Sequence, residues 1–291
     1  MVNGITNAIT ALKVFQKKMG NSANNVANIG TTGFKKSQSS LQDVSPENIS
    51  TPSGVLQVGR GTNMHDVAGV FSQGSFEPTS SPTDMAIGGD GFFIVRAPEG
   101  GDYYTRDGHF NFDKEGRLMN ASGHVAQGWE VDPVSGDIRG SIKDIEISSL
   151  TSPPKETTIA KNTVYSSADG YGSVHLESAA ISGNGVISGS YSNGQVLNLY
   201  QLALAKFNSP EGLEKMGGNV YAETTDSGNA MTGRPGINGL GRIASNALEQ
   251  SNVDLGEEFV DIILTQHGFQ ANLKVVSAED EMVGSLLDII S

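Results

Sequence analysis

The stretch FVDIILTQHGFQANLKVVSAEDEMVGSLLDII, residues 259 to 290, decides the architecture. Within it Phe259, Ile262, Gln266, Phe269, Leu273, Val276, Asp280, Val283, Leu287 and Ile290 recur at alternating steps of three and four. That is the heptad spacing of a seam along one face of an α-helix. Just upstream, Ser251 with Asp254 three residues on has the form of a capping box, and Glu257, Glu258 and Asp261 suit the positive end of a helix dipole. The pattern predicts a helix from near Asn252 to the last residues, a rod of roughly 57 Å at 1.5 Å per residue. Gly268 weakens its middle by about 1 kcal/mol relative to alanine. Val260, Ile263, Leu264, Val275, Met282, Leu286 and Ile289 fall outside the stripe, so one partner helix leaves much apolar surface uncovered.

The opposite end repeats the pattern. Ile5, Ile9, Leu12, Gln16, Met19, Ala23 and Val26 step by four and three. Gly4, Gly20 and six asparagines in the first 28 residues make this a poor helix in isolation. Residues 1 to 42 carry five lysines and no acid, a charge of +5, whereas residues 251 to 291 carry eight acids and Lys274, a charge of −7. Opposite charge favours pairing of the two ends and restricts the partners each accepts. Ordering costs roughly 1 to 2 kcal/mol per residue, and a buried Ile, Leu or Phe returns about 1.5 to 3 kcal/mol. Both ends are therefore expected to become helical on assembly with other copies.

Between the ends, Asp107-Gly108, Glu115-Gly116, Ser122-Gly123, Ser135-Gly136, Asn184-Gly185 and Asn193-Gly194 are dipeptides suited to tight hairpin turns, and they separate alternating segments such as 108 to 112 and 196 to 207. The middle is read as a β-rich domain over residues 76–235. Residues 37–75 and 236–250 are read as connectors, and the richness of 45–62 and of 151–158 in Pro, Ser, Thr and Gly gives each of those stretches the same reading. The ends, 1–36 and 251–291, form the terminal helical domain. The fold class is mainly β with terminal α-helices.

Composition narrows the function. A net charge of −13 is unsuited to nucleic acid or an anionic membrane surface. The absence of cysteine rules out disulfides, thiolate metal sites and a thiol nucleophile. No apolar run is long enough to span a bilayer, and the first twenty residues lack the apolar core of a cleaved signal, so export would use another route. His65, His109, His124, His175 and His267 are scattered without metal-ligand spacing. Asn111, Asp113, Glu115 and Gly116 imitate the opening of a calcium loop, but Ser122 stands where a bidentate glutamate is needed. Gly183, Gly185 and Gly189 do not have the spacing of a dinucleotide loop. No catalytic, cofactor-binding or metal site is assigned, and the chain is read as a non-enzyme. The residues assigned instead are a subunit interface: Ile5, Ile9, Leu12, Met19, Val26, Phe259, Ile262, Phe269, Leu273, Val276, Val283, Leu287 and Ile290.

Three longer motifs point to a family. NSANNVANIGTTGFKK (Asn21 to Lys36) resembles the N-terminal signature of bacterial flagellar axial proteins, the rod and hook subunits. FSQGSFEPTSSPTDMAIGGDGFFIV (Phe71 to Val95), followed by YYTRDGHFNFDKEGRLMNASGHVAQGW (Tyr103 to Trp129), is similar to the β-rich segment of that family, and the stretch from Ala247 to Ile290 to its closing helix. ISGSYSNGQ (Ile187 to Gln195), leading into LALAKFNSPEGLEKMGGNVYAET, looks more like the hook protein than the distal rod protein. Residues 150 to 180 have no recognisable counterpart, and His267 and Gly268 depart from the family pattern. The resemblance implies a discontinuous coiled-coil domain formed by both chain ends, with the β-rich domain inserted between them. It implies a compact hook subunit, lacking most of an outer β-domain, that polymerises into the hollow hook and transmits torque. The alternatives are a distal rod subunit of the basal body or, more remotely, a secreted β-rich binding module. Implied partners are further copies of the chain, rod and hook–filament junction proteins, the hook cap and the type III export apparatus. The implied location is extracellular, in the flagellum.

Overall fold

The computed structural model of the protein describes residues 2–51, 54–132, 136–147, 176–192 and 194–290. The connector read at 151–158, Ser135, Asn193, His175, and the side chains of Leu286, Leu287, Ile289 and Ile290 lie outside what is described. The chain divides into two compact units, one of Met1–Gly30, Lys35–Phe71 and Asn252–Ser291, the other of Thr31–Phe34 and Ser72–Ser251.

The first unit holds both helices, α1 (Val2–Ala27) and α2 (Leu255–Ile290), and four strands, β1 (Ser37–Asp43), β2 (Glu47–Thr51), β3 (Gly54–Val58) and β4 (Thr62–Gly69). The connector expected at 37–75 is thus largely an antiparallel ribbon. β1 pairs with β4 from Ser37 opposite Gly69 to Asp43 opposite Thr62, with a bulge between Ser40 and Leu41. β2 pairs with β3 from Glu47 opposite Val58 to Thr51 opposite Gly54. Its strands show no buried apolar face for a period of two to reveal. Backbone bonds hold the ribbon, and α1 supplements them. Asn25 donates through Nδ2 to the Ser37 carbonyl at 2.9 Å and accepts from the Ser37 N–H at 2.9 Å, while Asn21 donates to the same carbonyl at 2.7 Å.

α2 begins at Leu255, three residues later than expected. Asp254, not Ser251, caps it, because Asp254 Oδ1 accepts from the N–H groups of Gly256 (2.8 Å) and Glu257 (3.1 Å). Asn252 serves the ribbon instead. Its Oδ1 accepts from the Lys36 N–H and its Nδ2 donates to the Val70 carbonyl, which ties the ribbon's two ends to the start of the last helix.

The second unit is built on an antiparallel sheet whose main path runs Leu176–Ile181, Val186–Tyr191, Val196–Leu202, Val125–Val131, Phe92–Arg96, Asp102–Thr105, Val220–Ala222 and Glu214–Gly217. Its core gathers Ile87, Phe93, Phe110, Leu118, Ile145 and Leu202, each at most 1% exposed. Residues 236–250, expected as a connector, contribute two strands: Arg242–Ser245 pairs with Met85–Gly88, and Ala247–Glu249 with Phe76–Pro78. Gly116, Gly123 and Gly185 take positive φ in the turns expected of them. Gly108 does not. Its role is close approach, since a Cβ there would stand 1.5 Å from the Met85 carbonyl oxygen.

Candidate functional site

α1 and α2 pack antiparallel, as shown by four pairs of neighbours along their length. Asn25 Nδ2 donates to Glu258 Oε1 at 2.8 Å, and Lys18 lies 3.5 Å from Asp261. Further along, the Phe15 ring lies over Gly268, where a Cβ would meet it at 2.8 Å, and Gly4 faces the Glu279 carboxylate. Gly268 is therefore a point of close approach. The cost in helix propensity admits an aromatic ring against the backbone of α2.

The covered rows are not quite the expected ones. On α1 the row Gly4, Ala8, Ala11, Phe15, Lys18, Ser22, Asn25 is covered, offset by one residue from Ile5, Ile9, Leu12, Gln16, Met19, Ala23, Val26. On α2, Ile262, Phe269, Val276 and Val283 are partly covered, and the other positions of the covered row are Glu258, Thr265, Asn272 and Glu279. Neighbouring rows keep the same heptad spacing and differ by about 100° around the helix. The periodicity finds a row but does not distinguish the apolar one from the polar one beside it. Asn21, Asn25 and Asn28, themselves spaced by four and three, were the available signal that α1 had a second ordered face.

Consequently part of the expected interface is exposed. Phe259 is 50% and Leu273 44% exposed on α2, and Ile9 is 40% exposed on α1, while Ile5, Leu12, Met19 and Val26 are partly covered. The residues outside the α2 stripe are open as well: Val260, Ile263, Leu264, Val275 and Met282 all exceed two-fifths exposure, with Leu264 at 60%. Large apolar residues ordinarily mark a helix face that is buried. Among the described side chains, α2 carries them on faces that α1 does not cover.

Charge follows the same division. Lys18 and Lys36 are engaged in the unit, with Asp261 at 3.5 Å and Glu257 at 2.7 Å, and Lys35 is fully buried. Lys13 and Lys17 are exposed on α1, and Asp280 and Glu281 on α2. Exposed side-chain pairs of this kind contribute at most about 1 kcal/mol each.

Elsewhere, His109, Asp113 and His124 have structural neighbours. His109 Nδ1 lies 2.9 Å from Asp84 Oδ1. Asp113 accepts from the backbone and guanidinium of Arg117, closing the turn that imitates a calcium loop. The His124 ring meets Tyr103 edge-on at 5.9 Å, and its desolvation pulls the imidazole pKa down. Among the described residues, no helix is long and apolar enough to cross a membrane.

A β-rich unit interrupting a terminal helix pair with unpartnered apolar surface defines a class of chain whose ends lack part of their packing partner. Residues 86–189 match the family model described as flagellar hook protein FlgE/F/G D1 domain, and residues 244–289 match that of the flagellar basal body rod FlgEFG protein C-terminal. The chain is 30% identical to the flagellar basal-body rod protein FlgG of Borreliella burgdorferi, over 98% of this chain and 97% of the relative. It is 33% identical to FlgG of Buchnera aphidicola, over 95% of each. To the flagellar hook protein FlgE of Borreliella burgdorferi it is 26% identical, over 99% of each chain in an alignment of 440 positions. The chain belongs to the family of flagellar rod and hook axial proteins, structural components of the flagellum.

Proposed function

We propose that the protein polymerises through its terminal helices into an axial segment of the flagellum, and that it is a rod-type subunit. The apolar surface left open on α2 carries the first part. Burying the remaining surface of each half-exposed Phe, Leu, Ile, Val or Met would gain about 1 kcal/mol, on the order of 8 kcal/mol for the eight large apolar residues exposed among the described side chains of α2. Association costs about 4 to 15 kcal/mol, so one contact between two copies is marginal and several simultaneous neighbours are required. A helical array supplies them. In such an array the apolar rows of both helices, Ile5 to Val26 and Phe259 to Ile290, would complete the coiled-coil domain with neighbouring copies.

Length supports the rod reading over the hook reading. The rod relatives align with this chain over nearly their full length and its own. An alignment of 440 positions cannot be filled by 291 residues, so the hook relative carries segments with no counterpart here. The hook reading rests on the likeness of Ile187 to Gln195 and the residues that follow to hook proteins. On either reading the subunit joins rod and hook neighbours outside the cytoplasm.

Electron microscopy of the purified chain at rising concentration, beside a version truncated before Thr31 and after Gln250, tests assembly. Polymers from the full chain alone are expected, and a monomeric full chain in the presence of a preformed seed would refute the proposal. Deleting the gene separates the two subunit types. Loss of a rod subunit leaves basal bodies without a completed rod, whereas loss of a hook subunit leaves complete rods that end without a hook.

A further inference from the structure

The chain enters or leaves the second unit beside residues 31, 34, 72 and 251. Three segments lie just inside those points, and Glu249, in the last of them, touches the other two. Its main-chain oxygen accepts from the Gly33 N–H at 2.7 Å, and its Oε1 accepts from the Gly74 N–H at 2.9 Å. Its Oε2 faces Arg106 Nη1 at 3.4 Å, and the next residue, Gln250, donates from its N–H to the Ser75 carbonyl at 2.8 Å. Glu249 is fully buried and Arg106 is 4% exposed. The guanidinium carbon stands 5.2 Å from the centre of the Phe92 ring, so the ion pair is seated on a central strand of the sheet.

The fit at Gly33 is equally close. Its φ is +67°, and a Cβ there would stand 2.5 Å from the Asp107 nitrogen and 2.6 Å from the Arg106 carbonyl carbon. On either side, Thr32 accepts through its carbonyl from Asn219 Nδ2 at 2.8 Å, and Phe34 is buried with Lys215 Nζ 5.5 Å from its ring centre.

A buried ion pair is a poor device for stability alone, because apolar residues of similar volume commonly serve as well or better. Here the pair is also imperfect, since Arg106 Nε is buried without a partner. What apolar side chains could not do is accept the Gly74 N–H and orient the strand whose carbonyl holds Gly33. We propose that the Arg106–Glu249 pair is a clamp that fixes the chain's exits from the second unit, holding 31–34 and 72–75 with the rigidity of core strands. In an axial polymer such exits would pass torque on instead of absorbing it. Only that mechanical consequence rests on the proposed function.

Hydrogen exchange on the full-length chain, below the concentration at which it assembles, tests the clamp without reference to polymerisation. The amides of Gly33 and Gly74 are expected to exchange within about tenfold of the core amides of Ile94 and Val95. Exchange nearer the rate of exposed loop amides would overturn the clamp. The double substitution Arg106→Met/Glu249→Met leaves no lone buried charge. In it the Gly74 amide is expected to exchange at least about tenfold faster while the core amides hold their rates. Unchanged protection of Gly74 in the folded double variant would show that the pair only fills space, and should that variant fail to fold, the wild-type exchange rates decide.

Discussion

Asn25 shows how much one polar residue can organise. Its amide meets the Ser37 N–H, the Ser37 carbonyl and the Glu258 carboxylate, and both Asn25 and Glu258 are buried. Removing it takes a partner from the Ser37 N–H and from the Glu258 carboxylate, while the Ser37 carbonyl keeps its bond from Asn21, so Asn25→Ala should destabilise the first unit by about 2–4 kcal/mol in a denaturant titration. Gly268 works by absence. Alanine there would gain about 1 kcal/mol of helix propensity. The Phe15 contact would return a cost of about 1–3 kcal/mol, so Gly268→Val, which adds bulk without the full propensity gain, should loosen the helix pair. Loss of helical circular dichroism at lower temperature would report it. His124 has a pH signature. Burial depresses its folded pKa below the unfolded value near 6.5, so the unfolded chain takes up a proton before the folded one does. Its contribution to stability is present above pH 6.5 and is lost as pH falls through the folded pKa. His124→Phe should therefore flatten the decline of melting temperature as the pH falls below about 6.5.

The elements divide their faces between fold and assembly. Ile262 lies on the covered row of α2, and Leu264, two residues on, is 60% exposed. Ile262→Glu should cost about 1–3 kcal/mol in the isolated chain. Leu264→Glu should change its stability by less than about 0.5 kcal/mol yet abolish polymer formation in sedimentation assays. Equal effects of the two substitutions on the isolated chain would mean that the outward face of α2 is already covered. The ribbon of β2 and β3 shares this character, with Ile49, Val55 and Leu56 exposed on a two-stranded pairing that is marginal on its own. Such an element gains from a neighbour as α2 does.

For the molecule as a whole, a net charge of −13 makes approach of two copies unfavourable at long range, although the +5 and −7 ends attract. Salt shortens the reach of charge from roughly 30 Å at 0.01 M to about 8 Å at 0.15 M. The long-range repulsion is screened first, and contacts at bonding distance are screened least. Assembly should therefore begin at a lower protein concentration as salt rises across this range, as followed by light scattering. A rise in the required concentration would mean that attraction between the ends dominates the encounter.

The amino-acid sequence by itself determined the two terminal helices, the turns at Gly116, Gly123 and Gly185 and the family, because each rests on local signals: heptad spacing, Xaa-Gly dipeptides and contiguous motifs. The paired strands at 37–69 were not legible. Their residues are mostly polar on both faces, and what orders them is backbone pairing and side chains from α1, far away in the sequence. The clamp was hidden for the same reason, since Gly33, Gly74, Arg106 and Glu249 meet only in the folded unit. Tertiary structure also decided which helical row faces inward. Two adjacent rows share one period, and the choice fell to the row where Gly4, Gly268 and Asn25 permit close contact, leaving the more apolar surface of α2 turned outward.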